Sequence, residues 1–230
     1  MINFKDISLV FEGGSVALSN INVEIQDGEF VYLIGPSGSG KTSFLRIIYR
    51  DLIPTNGEAE VTGTNINSLS SWRVPLLRRK LGIVMQEPKL LKNRTVTENI
   101  SFAMEVLGFT PNEINTQVRQ LLSLVDLESE AYKYPEQISS GQQTRVAIAR
   151  ALASKPLILL CDEPTGNLDP NLSSNIVVLL EKINRAGTTV VMATHDSGIV
   201  NRRKKRIIEL DSGKIVRDED RGRYTLTGGL

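Results

Sequence analysis

The chain has 230 residues, 40% of them hydrophobic and 23% charged, which suits one large domain with a substantial core. A formal net charge of +1 gives no global pull toward nucleic acid or an anionic surface. No apolar run approaches the ~18 residues of a bilayer span. The start Met1-Ile2-Asn3-Phe4-Lys5-Asp6 has no apolar leader core, so any membrane association is expected through a partner. The one cysteine, Cys161, closes the run Leu157-Ile158-Leu159-Leu160-Cys161 and reads as a small buried residue in a reducing cytoplasm, not a disulfide or metal ligand.

In chain order, residues 2–11 and 17–25 alternate in part around Gly13-Gly14 and predict two antiparallel strands. Asp27-Gly28 marks a turn into the apolar strand Phe30-Val31-Tyr32-Leu33-Ile34. Residues 58–61 and 81–85 read as short strands, and 74–80 as one or two helical turns with a basic face. Thr95-Val96-Thr97-Glu98 is a capping box that opens a helix to about residue 107. Residues 111–127 carry a helical stripe at Ile114, Val118, Leu121, Leu122 and Val125. Ser139 or Ser140 caps a helix over 141–153, Pro156 stops it, and a buried strand follows at 157–161. A helix over 171–185, a strand over 188–193, a short helix from Asp196 and strands over 206–210 and 214–216 complete the pattern. Such alternation predicts an α/β fold with a mostly parallel sheet and helices on both faces. Residues 86–152 show no strand and read as a helical insert, and the polar tail 218–230 as frayed.

Gly35-Pro36-Ser37-Gly38-Ser39-Gly40-Lys41-Thr42, followed by Ser43, lies between a strand and a helix. In that setting G-x-x-x-x-G-K-[ST] is a phosphate cradle, with backbone N–H groups turned inward and the helix N-terminus adding partial positive charge. Lys41 is placed to reach the β/γ-phosphates and Thr42 to hold Mg²⁺. Asp162-Glu163 ends the buried strand at 157–161, where ligands bind in open α/β sheets. Asp162 suits Mg²⁺, directly or through water, and Glu163 suits a general base that polarises the attacking water. Alone, the pair is equally a solvated strand end. His195, the single histidine, follows the strand at 188–193, which is expected beside the strand of Glu163. It is either structural or placed to hydrogen-bond the γ-phosphate. Ile138-Ser139-Ser140-Gly141-Gln142 opens a helix and is either an ordinary N-cap or a second anion site. One nucleotide cannot easily satisfy two such sites in one subunit, whereas two subunits facing head to tail can. Arg202-Arg203-Lys204-Lys205-Arg206 is a solvated basic face or a contact for anionic lipid.

Over nearly its whole length this set resembles the nucleotide-binding subunit of ATP-binding cassette (ABC) transporters. The resemblance implies an α/β P-loop NTPase of one domain over 1–230: a RecA-like core with an N-terminal antiparallel β subdomain over 1–85 and 153–217, and a helical signature subdomain over 86–152. It makes residues 35–42 the Walker A motif, 157–163 Walker B with its catalytic glutamate, and 138–142 the signature usually written LSGGQ. It assigns Gln86 to the Q-loop, beside the metal and the reacting water, Asp169 to the D-loop that couples two sites, and His195 to the switch histidine. Phe11 falls at the position of an adenine-stacking ring, although by its own pattern it is as readily a core residue. ATP and Mg²⁺ are the implied ligands and an ATP-dependent homodimer the implied assembly. Two rivals fit less well: a P-loop kinase has no use for the signature, Gln86 and His195 together, and nucleic-acid-handling cassettes usually carry paired cassettes or long coiled coils. No nucleic acid partner is expected.

Residues 164–169 and 192–196 resemble a bacterial group that includes lipoprotein-release, macrolide-export and cell-division ATPases. Residues 72–79, 90–96 and 201–203 resemble the cell-division members, which implies an integral membrane partner and a place on the cytoplasmic face of the membrane. The groove for that partner is expected around Leu90, Leu91 and Met104. One departure stands out: Ser140 replaces the first glycine of the signature pair, where its side chain either crowds the approach to the γ-phosphate, which would slow hydrolysis, or donates another hydrogen bond.

Overall fold

The computed structural model describes residues 1–225. Its elements run β1 (Ile2–Val10), β2 (Val16–Ile25), β3 (Phe30–Ile34), α1 (Lys41–Ile48), β4 (Asn56–Val61), β5 (Thr64–Asn65), α2 (Val74–Arg78) and β6 (Leu81–Val84). Then come α3 (Val96–Val106), α4 (Pro111–Leu124), α5 (Ser140–Leu152), β7 (Ile158–Asp162), α6 (Pro170–Arg185), β8 (Thr189–Ala193), α7 (Ser197–Arg202), β9 (Arg206–Asp211) and β10 (Lys214–Glu219). Strands β2-β1-β4-β5 form an antiparallel sheet, and β10-β9-β3-β8-β7-β6 a second one. In the second sheet every pairing from β9 to β6 is parallel and only β10 is antiparallel.

The imperfect alternation of β1 has a local cause. Its pairing with β2 shifts between Phe4 and Ile7, where Asp6 takes a left-handed φ of 53° and exchanges hydrogen bonds with Asn22. A bulge of this kind advances the side-chain parity by one, so Phe4 and Ile7 both face the core. The two-residue β5 has no room for a period and left no trace in the pattern. Helix α1 is clamped between the sheets by Phe44, Leu45, Ile47 and Ile48, and the Phe44 ring meets that of Phe4 at 4.9 Å. On the other face of the parallel sheet, α3, α4, α5 and α6 bury a second core. Their starts are well specified: Thr95 with Glu98, Thr110 with Glu113 and Ser139 with Gln142 each close a reciprocal capping box. Ser139, and not Ser140, is therefore the cap of α5. Each such cap stabilises its helix by about 1 kcal/mol.

The fraying expected from residue 218 does not describe 218–225. Asp218 and Glu219 belong to β10, Arg206 holds Asp218 through two 2.8 Å bonds, and Arg217 bonds Thr225. Tyr224 donates its backbone N–H to Asn201 at 2.8 Å and packs on the core. The rest of the expected frayed tail, 226–230, lies outside the described residues.

Candidate nucleotide site

Parallel register sets out the site. Strands β3, β8 and β7 lie side by side, with Asp162 opposite Ala193, so the residues that follow each strand emerge along one edge of the sheet. The glycine-rich loop follows β3, Glu163 follows β7 and His195 follows β8. Their loops are tied together: Glu163 N–H donates to Ala193 O at 3.0 Å and Thr194 N–H to Leu33 O at 3.1 Å.

The loop turns because its glycines permit it. At Gly35, φ is 143° and a Cβ would lie 2.0 Å from the Leu210 carbonyl oxygen and 2.7 Å from Ser39 Oγ. No side chain fits there without displacing β9. Ser39 Oγ is itself buried without a hydrogen-bond partner among the described residues. An unpaired hydroxyl under a glycine-lined concavity suits an anion that brings its own acceptors. Lys41 is buried, and its Nζ donates to the carbonyls of Gly35 and Pro36 at 2.8 and 2.9 Å. Burial pulls its pKa below the usual lysine value, against the opposing pull of Glu163 and Asp162. Burial likewise raises the Asp162 pKa, while a hydrogen bond from the Thr42 hydroxyl lowers it and the Glu163 charge raises it further.

A cleft of about 440 Å³ opens over this cradle, lined by Lys41, Thr42, Ser43, Gln86, Asp162 and Glu163 and also by Phe11. Phe11 is 40% exposed, so it is a wall of the cleft and not a core residue. Glu163 has φ 49° and its Oε2 lies 2.5 Å from Nδ1 of His195. Gln86 converges on the same point: a Cβ on Gly166 would meet Gln86 Nε2 at 3.2 Å and Glu163 Oε2 at 3.4 Å. Hard oxygen donors from Thr42, Asp162 and Gln86 at the phosphate end suit Mg²⁺, which commonly takes few protein ligands and relies on phosphate oxygens.

The structure does not bring the stretch 138–142 to this cleft. Ser139, Ser140, Gly141 and Gln142 are absent from its walls, and Ser139 and Ser140 face solvent at the start of α5. Gly141 backs onto Leu172, where a Cβ would lie 3.2 Å from Cδ1, so the second signature position is held small from behind and the first is open. Ser140→Gly should therefore leave the unfolding free energy within about 1 kcal/mol of its parent, the helix-propensity cost of glycine. Its ATPase rate should rise; an unchanged rate would remove the idea that Ser140 slows hydrolysis. Asp169 spends its carboxylate on the N-terminus of α6, accepting from Asn171 and Leu172 N–H.

Arg150 and Asn99 were not singled out from sequence and both hold the segment after Gln86. Arg150, on α5, donates to the carbonyls of Pro88 and Lys89 at 2.6 and 3.0 Å. Asn99, fully buried on α3, bonds Leu91 through both N–H and C=O and also reaches the Arg94 and Thr95 carbonyls. The signal was an arginine within the apolar run 146–152. Arg150→Met should destabilise the fold by about 1.5–3 kcal/mol, the worth of charged hydrogen bonds, as read by denaturant unfolding.

One expectation fails in part. Met104 is fully buried in the core, so it cannot line a partner groove, and Leu90 packs against that same core. The basic run is mostly spent internally: Arg203 and Lys205 pair with Glu181, and Arg206 with Glu29 and Asp218.

The family model described as ABC transporter matches residues 18–166. The chain belongs to the ABC transporter family. The cassette is 46% identical over 224 residues to the cell division ATP-binding protein FtsE of Bacillus subtilis, covering 97% of this chain and 98% of that one. It is 50% identical to FtsE of Mycobacterium tuberculosis, covering 90% of each, and 40% identical to that of Escherichia coli, covering 94% and 97%. Among solved structures, it superposes with TM-score 0.86 and 36% identity on the dimeric, post-hydrolysis ATP-binding cassette MJ0796 bound to ADP and Pi, over 97% of this chain and 100% of that one. This cassette is thus an ABC-type ATPase of the P-loop NTPase fold. Among its described residues no helix is long and apolar enough to cross a membrane.

Proposed function

We propose that this cassette is the ATP-hydrolysing subunit of a membrane-bound cell-division complex. An integral membrane partner of the FtsX type holds it on the cytoplasmic face of the membrane, and hydrolysis is coupled to activation of cell-wall hydrolases. The observation that carries the catalytic part is the meeting of Glu163, His195 and Gln86 above the phosphate cradle. What supports the biological part is 40–50% identity, over nearly full length, to proteins named for cell division.

Residues 35–43 bind the phosphates of ATP and Phe11 stacks on its adenine. Thr42, Asp162 and Gln86 would hold Mg²⁺, which when bound neutralises developing charge on the phosphates. Glu163 takes a proton from the attacking water, and His195, whose ring lies against that carboxylate, supports the transition state at the γ-phosphate. Ser139, Ser140, Gly141 and Gln142 belong to the site of the opposite subunit in an ATP-dependent homodimer. The separation of these residues from the cleft of their own chain supports that assignment. Asp169 links the two sites. Among the five basic residues, Arg202 and Lys204 are what remains for anionic lipid, since Arg203, Lys205 and Arg206 are paired.

Phe11→Ala should weaken ATP binding about tenfold, the loss of a ~1–3 kcal/mol stacking contact, in a fluorescent-nucleotide titration. Unchanged affinity would return Phe11 to a structural role. The complex itself is tested by purification from membranes: recovery with a four-span FtsX-type protein supports the assignment, and recovery with an exporter or lipoprotein-release permease replaces it with transport.

A further inference from the structure

From Val61 to Gln86 the chain has no acidic residue and four cations, Arg73, Arg78, Arg79 and Lys80, although its overall net charge is only +1. At the centre of this stretch stands Trp72, the single tryptophan, 68% exposed. Leu76, four residues on and so on the same helical face, is 49% exposed. The segment is not a loose loop. Leu77 is buried in the core between the sheets, and Arg78 donates to the carbonyls of Tyr49 and Arg50. Trp72 and Leu76 are therefore held outward by a fixed turn.

The cations around them differ from those of residues 202–206. Arg78 is used for structure, whereas Arg73, Arg79 and Lys80 make no ion pair among the described residues. The Arg73 guanidinium lies over the Trp72 ring, 4.7 Å from its centroid. It also borders a polar surface cavity of about 300 Å³ lined by Thr64, Asn65, Ser68 and Ser70. Hydroxyls, an amide and one guanidinium are the donors that a phosphodiester headgroup needs. An indole edged by cations is what settles at the boundary between acyl chains and headgroups.

We propose that the Trp72–Lys80 face is a membrane-contact surface for anionic phospholipid, with Trp72 and Leu76 entering the interface and Arg73, Arg79 and Lys80 meeting the headgroups. The occupant follows from the charge: a protein surface matched to this face would need its own acids around an apolar pocket, whereas an anionic leaflet supplies both partners without specific shape. This contact is independent of ATP hydrolysis and of the identity of the membrane partner.

Because Trp72 is the one tryptophan, its emission reports on this site alone. The full chain is titrated with vesicles of equal parts phosphatidylglycerol and phosphatidylcholine, and with phosphatidylcholine alone. A blue shift with the anionic vesicles, quenched by brominated acyl chains and weakened by salt, is the expected result. The triple variant Arg73→Gln, Arg79→Gln, Lys80→Gln should bind roughly 100-fold more weakly, from about 1 kcal/mol per charge near an anionic surface. Neutralising Arg202 and Lys204 should change binding far less. Four outcomes overturn the proposal: no shift with anionic vesicles, co-sedimentation without a shift, an equal shift with neutral vesicles, or a shift seen only with the membrane partner in detergent. Unchanged nucleotide binding by the triple variant shows that it is folded.

Discussion

Glu163→Gln should lower ATP turnover by about 10²–10⁴-fold, the contribution of a positioned general base, while ATP affinity holds or tightens. The amide keeps the volume of the side chain, so the substitution leaves the packing beside His195 unchanged. What disappears is a basic oxygen next to the reacting water. Loss of one negative charge beside the phosphates also removes repulsion that Lys41 must otherwise offset. With hydrolysis blocked, the two-subunit state should accumulate in ATP and be visible by light scattering. A variant that turns over ATP normally would show that Glu163 is not the base. A variant that stays monomeric in saturating ATP with its membrane partner present would refute closure of two subunits around the nucleotide.

Gly35→Ala should be among the most damaging single substitutions in the chain. The added carbon would lie 2.0 Å from the Leu210 carbonyl, a fixed atom of β9, and the backbone sits at φ 143°. Overpacking costs about 1–3 kcal/mol and a backbone region reserved for glycine about 1–3 more. At about 2–4 °C per kcal/mol for a chain of this size, the melting temperature should fall by roughly 10 °C. ATP binding should be lost with it, because the clash displaces the loop that supplies the phosphate N–H groups. Gly38→Ala is the matched control: φ is 78° but nothing lies within 4 Å of the added carbon. It should cost only the ~1–2 kcal/mol of a left-handed residue. Equal melting of the two variants would mean that the contact with β9 does not constrain the loop.

Local chemistry made much of this molecule legible in advance. Capping boxes depend on four residues in a row, and Thr95 and Ser139 open their helices where the pattern placed them. Apolar strands buried on both faces, such as β7 and β8, need only their own composition to be recognised. The phosphate cradle is a backbone shape dictated by its glycines, so it too is local. Legibility failed where a side chain's fate depends on a distant partner. Arg203, Lys205 and Arg206 look like a free basic patch until Glu181, Glu29 and Asp218 are brought beside them. Met104 looked available to a partner because its helix was known, but not which face the other helices would cover. Phe11 carried no pattern of its own, and only the turn Phe11–Ser15 beside the cleft gave it a place.

The sequence by itself determined that a glycine-rich phosphate-loop pattern follows β3, that acids end β7 and that a hydroxyl-rich stretch opens α5, because each is written in contiguous residues. The tertiary structure alone decided that Glu163 meets His195, that Gln86 joins them, and that the start of α5 stays out of the cleft of its own chain. Those relations come from parallel strand register and from which helix packs on which, and both are set by non-local burial that no short stretch encodes.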